Sequence, residues 1–255
     1  MIREVHRPKT LEEALDLLSR EGLVTVAMGG GTVLNRPSPE PVAVVDLQDL
    51  GLDQVEVKGN VLSLGATVTL ASLLELPELP ETLRQVIRLE ATYNLRQVAT
   101  LAGTLLSADG RSPLATALLA LDVMLDVMRS GTAVEQIGLG DLLPMRSEKL
   151  RGRLVTRLTL PLNARLAYES VARTPADLPV ICAAATLWPS GRTRLALGGF
   201  GLAPLLALDG PESQGVEAAA RSAYSDAGDE WASAEYRGEM APVLARRCMQ
   251  QLIQA

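Results

Sequence analysis

Apolar residues recur at helical spacing over Ala14, Leu15, Leu17 and Leu18, and Thr10-Leu11-Glu12-Glu13 just ahead of them has the form of a capping box. This pattern predicts a helix from Thr10 to about Arg20, with Gly22 as its stop. Within the apolar run Leu23–Ala27, Val24–Ala27 reads as a strand, delivering Met28-Gly29-Gly30-Gly31-Thr32-Val33-Leu34. A proline-rich loop (Pro37, Pro39, Pro41) leads to a second strand, Val42–Asp46. From Gln54 the period changes from helical to alternating. Val55–Lys58 and Val61–Leu64 flank Gly59-Asn60, the signature of a hairpin. Helices are predicted near Thr69–Glu75 and Glu81–Ala91.

A second glycine-centred segment follows, Thr100-Leu101-Ala102-Gly103-Thr104-Leu105-Leu106, and reads as another turn. Ser112-Pro113 then opens a helix through Leu121, since Ser caps well and Pro suits the first helical position. Strands are predicted at Val123–Val127, Val134–Ile137 and Arg153–Leu160, with Pro161 closing them. Three more follow near Ala167–Ala172, Val180–Leu187 and Arg194–Gly198, and two helices end the chain. In the last helix Tyr236, Met240, Leu244, Cys248 and Leu252 recur every four residues, a core-facing stripe. Tyr236-Arg237 reads as packing plus a surface pair.

Glycine lets a ligand approach bare backbone N–H groups, and consecutive amides of that kind form a nest for anionic oxygens. Read alone, the first glycine turn serves equally well as a strand-to-loop turn with no ligand. Two such turns on one chain suit a pyrophosphate held from both sides, which points to a dinucleotide. Asp109-Gly110 is both a turn signal and a candidate contact.

Composition narrows the chemistry. The 255 residues carry a net charge of −6 with no Lys/Arg cluster, which argues against a nucleic-acid partner. The longest apolar stretches are broken by Asp122 and Asp126, short of the roughly 18–20 residues of a membrane span. Met1–Val5 lacks an apolar signal core, so a soluble, cytoplasmic protein is expected. Cys182 and Cys248 stand alone in apolar runs and read as buried structural thiols. With His6 the only histidine, neither a Cys/His metal site nor a histidine-based triad is expected. Redox work by this chain would need an organic cofactor.

In order and spacing, several segments resemble the flavin-binding subunit of the molybdenum hydroxylases, the family of xanthine dehydrogenase and aerobic carbon monoxide dehydrogenase. They are Arg7-Pro8-Lys9-Thr10-Leu11-Glu12-Glu13-Ala14, Gly30-Gly31-Thr32, Asp46-Leu47, Leu64-Gly65-Ala66-Thr67, Asn94-Leu95-Arg96 through Thr104, Ala172-Arg173 with Asp177, and Ser233-Ala234-Glu235-Tyr236-Arg237. The resemblance covers nearly the whole chain. It implies an α+β protein: a two-subdomain FAD-binding fold of the vanillyl-alcohol oxidase (PCMH) type over residues 1–52 and 53–162, plus a small α+β C-terminal domain over 163–255. It implies FAD as cofactor, with Met28, Gly29, Gly30, Gly31, Thr32, Val33 and Leu34 in the first loop. Thr100, Ala102, Gly103, Thr104, Ser107, Asp109 and Ser112 follow in and after the second, and Val155 and Glu169 near the ring. The backbone N–H groups of Gly30, Gly31 and Gly103 would hold the pyrophosphate, and Thr32, Thr100, Thr104 and Ser107 would offer hydroxyls. No side chain here is expected to do bond chemistry on a substrate. The resemblance further implies a molybdopterin-binding large subunit and a 2Fe-2S small subunit as partners, from which electrons reach the flavin and then an external acceptor.

The chain departs from the family pattern at several of these positions. Ala102-Gly103-Thr104 stands where Gly-Gly-Asn is usual, Pro113 where an acid follows the serine, and Val33 where a polar residue is common. Glu169 and Ser170 stand where a cation often lies near the ring. Each lost polar contact to a buried ligand costs about 1–3 kcal/mol. These departures motivate an alternative: a flavin-less subunit that keeps the fold for assembly.

Overall fold

The computed structural model describes residues 1–34 and 40–254, so Pro37 and Pro39 of the predicted loop lie outside the described residues. The helices are α1 (Leu11–Ser19), α2 (Leu70–Leu74), α3 (Glu81–Glu90), α4 (Tyr93–Arg96) and α5 (Leu101–Ser107). They continue with α6 (Pro113–Ala120), α7 (Leu139–Leu142), α8 (Arg146–Lys149), α9 (Val216–Ala223) and α10 (Ala234–Gln254). The strands are β1 (Ile2–His6), β2 (Thr25–Met28), β3 (Val42–Asp46), β4 (Val55–Lys58), β5 (Val61–Gly65) and β6 (Met124–Arg129). After them come β7 (Glu135–Gly138), β8 (Arg153–Pro161), β9 (Arg165–Val171), β10 (Ile181–Leu187), β11 (Thr193–Gly198) and β12 (Leu205–Gly210). The fold is α+β with three sheets.

Two compact units are each assembled from separated stretches of chain. The first comprises Met1–Glu75, Tyr93–Ser107 and Met124–Thr159; the second comprises Leu76–Thr92, Ala108–Val123 and Leu160–Ala255.

In the first unit a parallel three-stranded sheet has the order β1-β3-β2, and a five-stranded sheet the order β4-β5-β8-β6-β7. β3 is central to its sheet, and its Ala43, Val44 and Val45 are fully buried. Helix α1 opens as its sequence demands, with Thr10 Oγ1 accepting from Glu13 N at 3.2 Å and Glu13 accepting from Lys9 N at 3.0 Å. Its apolar face, Ala14 and Leu15, packs with Val45, Leu47 and Leu154. The hairpin β4–β5 pairs Val55 with Leu64 and Lys58 with Val61, and Gly59 takes the positive φ (+57°) that the turn needs.

In the second unit an antiparallel sheet has the order β12-β11-β10-β9. Along β10 the side chains alternate. Ile181, Ala183 and Ala185 join a core with Leu244, Ala245, Cys248 and Leu252 of α10. Cys182 instead reaches Thr116 of α6 at 3.7 Å. Both faces of β10 are covered, which is why its run of small apolar residues is almost wholly buried. In the predicted stripe of α10, Leu244, Cys248 and Leu252 are buried, Met240 is half-buried and Tyr236 is exposed.

Arg237 corrects the expected surface pair, because it is fully buried. Its guanidinium donates to the carbonyls of Val180 (2.8 Å), Ala227 (2.6 Å), Ala232 (3.1 Å) and Gly199 (3.0 Å), and to Asp229 at 2.8 and 3.0 Å. Five polar partners compensate the charge, as a buried arginine requires.

Candidate functional site

The two glycine segments meet within the first unit. Strand β2 ends at Met28, whose carbonyl accepts from Leu47 N at 3.0 Å, and the chain leaves the sheet through Gly29-Gly30-Gly31. A Cβ added at Gly29 would lie 2.6 Å from Thr100 Oγ1, and one added at Gly30 would lie 1.7 Å from the Val98 carbonyl oxygen. Gly31 has φ +68°, and among the described residues a Cβ there would meet only the Met28 side chain, whose Sδ is 3.5 Å away. The first two glycines are therefore needed for close approach and the third for a left-handed turn. Segment 98–102 is fixed from its other side by Leu70 N to Ala99 O (2.9 Å), Leu101 N to Val68 O (2.8 Å) and Ala102 N to Ala66 O (3.2 Å).

The second glycine segment is not a turn. It is the first turn of helix α5, and Thr100 supplies the reason: its Oγ1 accepts from Gly103 N at 3.2 Å, and its carbonyl accepts from Thr104 N at 2.8 Å. Gly103 is required because a Cβ there would stand 2.7 Å from Thr100 Oγ1. Its amide is spent inside the helix, which corrects the expectation that it lies bare. The hydroxyls expected to face a ligand are also spent locally. Thr104 Oγ1 donates to Thr100 O and Ser107 Oγ donates to Gly103 O, both at 2.8 Å.

The first loop differs. Among the described residues the backbone N–H groups of Gly30, Gly31 and Thr32 donate no hydrogen bond, and neither does the Thr32 hydroxyl. These residues are half-buried, as are Met28 and Leu34, while Val33 is exposed. Buried amides are ordinarily paired, so three consecutive unspent donors in a half-enclosed loop form a nest suited to an anion.

Val155 lies in β8 opposite Val127 and is buried in the five-stranded sheet of this unit. Asp109, Ser112 and Glu169 belong to the second unit. Asp109 Oδ1 accepts from Arg111 N at 2.8 Å, closing an Asx turn. Its neighbour Gly110 packs against the Phe200 carbonyl, 1.8 Å from where a Cβ would stand. Ser112 caps α6, accepting from Ala115 N at 3.0 Å and donating to Glu90 at 2.8 Å.

Glu169 pairs across the sheet with Ala183, on the α10 face, and accepts from Gln251 Nε2 at 2.6 Å. Its neighbours Tyr168 and Ser170 point the other way, into a cavity of about 270 Å³ that Leu89 and Pro113 also line. The Tyr168 hydroxyl lies beside Cys182 and Ser170 yet makes no hydrogen bond of good geometry, and burial pushes its pKa well above the tyrosine range.

Glu90 was invisible in the sequence. Its carboxylate accepts from Ser112 Oγ at 2.8 Å and from Leu114 N at 2.9 Å, and among the described residues it forms no ion pair. Desolvation raises its pKa, more than these two bonds lower it. Burial also pushes the Cys182 thiol up to about 11 and Cys248 higher still, so neither is a ready nucleophile. Among the described residues no group of three or more His, Cys, Asp or Glu is placed to hold a metal ion. Among them, too, no helix is long and apolar enough to cross a membrane.

Residues 1–163 match the family described as the FAD binding domain in molybdopterin dehydrogenase. The chain is 30% identical over 220 residues to the uncharacterized protein YgfM of Escherichia coli strain K12, covering 85% of this chain and 82% of that one. It is similar in structure to a Cu,Mo-CO dehydrogenase in cyanide-inactivated form (TM-score 0.81, 22% identity, 98% and 97% of the two chains). Reconstituted CO dehydrogenase from Oligotropha carboxidovorans gives a TM-score of 0.80 at 23% identity over 97% and 96%. Quinoline 2-oxidoreductase from Pseudomonas putida 86 gives 0.77 at 21% over 98% and 96%. These likenesses establish a shared fold.

Proposed function

We propose, from the premise that this chain belongs to the family of FAD binding domains in molybdopterin dehydrogenase, that it is the FAD-binding electron-transfer subunit of a multi-subunit molybdenum hydroxylase. The observation that carries the reading is the run of unspent amides at Gly30, Gly31 and Thr32. A diphosphate presents anionic oxygens that such donors satisfy, and charge-assisted bonds of this kind are about twice as strong as neutral ones.

In this reading the residues divide their work. Gly30–Thr32 bind the pyrophosphate through the backbone, with the Thr32 hydroxyl as a further donor. Helix α5 acts as a wall: Thr100 caps its first turn and lies against Gly29. Gly29 and Gly30 position the nest by letting it lie on Val98–Thr100. Bound FAD would supply reversible electron storage, which no side chain of this chain can. The two cysteines, both buried, cannot ligate iron–sulfur clusters, so electrons would arrive from a 2Fe-2S small subunit beside a molybdopterin-binding large subunit. The spectrum of the natively purified protein and an FAD titration of the flavin-free chain test this. Flavin absorbance, or saturable uptake of FAD, is the expected result; neither being seen defeats it.

A second reading, a flavin-less assembly subunit, draws on a specific observation. The amide of Gly103 and the hydroxyls of Thr104 and Ser107 are all satisfied internally. Stable complexes whose activity is indifferent to changes at Gly31 would favour it.

A further inference from the structure

The second unit carries a cationic cluster that the flavin reading does not use. Trp231, 39% exposed, has the Arg111 guanidinium 4.1 Å and the Arg173 guanidinium 5.0 Å from its ring centroid. Arg111 is pre-set: Nε donates to Pro179 O at 3.1 Å and Nη2 to Leu178 O at 2.7 Å. Those carbonyls are neutral, and among the described residues neither arginine pairs with a carboxylate. Nearby acids are engaged: Asp229 with Arg237, Asp177 as acceptor from Thr174 N at 3.2 Å, and Asp109 as acceptor from Arg111 N at 2.8 Å. Two like charges held around one indole repel each other, and the ring's negative faces offset this only in part.

The cluster also adjoins a built cavity. Arg173 lines the roughly 270 Å³ pocket whose wall includes Ser170, Thr174 and Tyr168, and the Tyr168 hydroxyl is buried without a good hydrogen-bond partner. Asp177 shares that wall and sets a cost against anions there, so the anionic end belongs at the guanidiniums and not in the cavity. Guanidinium forks match phosphate oxygens bidentately, and a phosphate dianion neutralises two of them. We infer that Arg111 and Arg173, both held at the Trp231 ring, form a binding site for a phosphate-bearing small molecule whose uncharged part enters the cavity toward Ser170, Thr174 and Tyr168. The inference does not rest on the Gly30–Thr32 nest, since none of its residues belongs to the unit that carries that loop.

Trp231 is itself the probe. In a Trp188→Phe background it is the chain's only tryptophan, so its emission can be followed while inorganic phosphate or ribose 5-phosphate is added at constant ionic strength. A saturable change is expected, weakened about tenfold or more by Arg173→Gln, the loss of one charge-assisted contact. Tighter binding of ribose 5-phosphate supports the inference; equal or tighter binding of inorganic phosphate overturns it, because the free ion has no uncharged part to enter the cavity. Arg173 is exposed and, among the described residues, makes no hydrogen bond or ion pair, so the variant is expected to fold as the parent does. No saturable change with either anion, or the same affinity in Arg173→Gln, overturns the inference.

Discussion

Substituting Gly30 by alanine tests how the two glycine segments fit. The new methyl would stand 1.7 Å from the Val98 carbonyl oxygen, against the 3.0 Å below which real contacts essentially never fall. One side must therefore retreat by at least about 1.3 Å. Retreat of Val98–Thr100 strains the hydrogen bonds that tie Ala99, Leu101 and Ala102 to residues 66–70, each worth about 1 kcal/mol. Retreat of the glycine loop strains the end of β2 at Met28. Either way the cost lies at the top of the overpacking range, about 3 kcal/mol. For a protein of this size that is a fall in melting temperature of roughly 6–12 °C. Gly31→Ala is the control: among the described residues it meets only the Met28 side chain, with Sδ at 3.5 Å, and its cost is the left-handed φ of +68°, about 1–2 kcal/mol. Thermal unfolding of both variants without added FAD is the assay. A Gly30→Ala protein as stable as the parent, or more stable than Gly31→Ala, would refute the packing account.

Three further outcomes follow from the geometry. Arg237→Leu removes the charge that satisfies four carbonyls and Asp229, and should cost about 3–5 kcal/mol in chemical denaturation, while Tyr236→Ala on the exposed neighbour should cost under about 1. Glu90 has a raised pKa in the folded state, so that state holds its proton more firmly than the unfolded chain does. Its contribution therefore falls as pH rises from its usual value near 4.5 to its folded one, and a stability–pH profile of Glu90→Gln should lack that decline. The Thr104 and Ser107 hydroxyls are bonded to helix carbonyls, so Thr104→Val and Ser107→Ala should shift FAD affinity by less than about threefold in a titration.

Much of the fold is legible wherever a local rule has a local cause. The Thr10 box, the Gly59-Asn60 hairpin and the Ser112-Pro113 cap each involve residues a few positions apart, and each forms as the residue types require. Strands β1 and β12 escape that logic. Ile2–His6 is largely exposed and shows no clean alternation, its pairing with β3 being set by a strand 40 residues away. Leu205–Gly210 is a half-buried edge, paired only through β11. The second glycine segment is misread as a turn for a related reason. Glycine disfavours helices, yet Thr100 caps this one, and the shape of the space beside Gly103 depends on the side chain it closes over. Arg237 and Glu90 could not be placed at all, because an exposed pair and a buried anchor look alike until distant carbonyls or a distant helix end are known to surround them.

A glycine motif seen in sequence conflates two demands, room for a neighbouring backbone and room for a ligand, and here they fall on different residues. Gly29 and Gly30 are claimed by Thr100 and Val98, so loss of FAD on changing them could follow from misplaced loops alone. Gly31 is free of that confusion. Among the described residues only Met28 stands in its Cβ direction, and its φ of +68° is one that asparagine tolerates better than most residues. Gly31→Asn should therefore cost less than about 1 kcal/mol in stability. If the unspent amides of Gly30, Gly31 and Thr32 hold a diphosphate, a side chain at the centre of that nest should weaken FAD by about tenfold or more, since displacing one charge-assisted contact costs about 1.5–3 kcal/mol. Parallel unfolding and FAD titrations separate the cases: retained stability with weakened FAD assigns the nest to the cofactor. Retained stability with unchanged affinity reduces Gly31 to a turn residue and moves the pyrophosphate elsewhere.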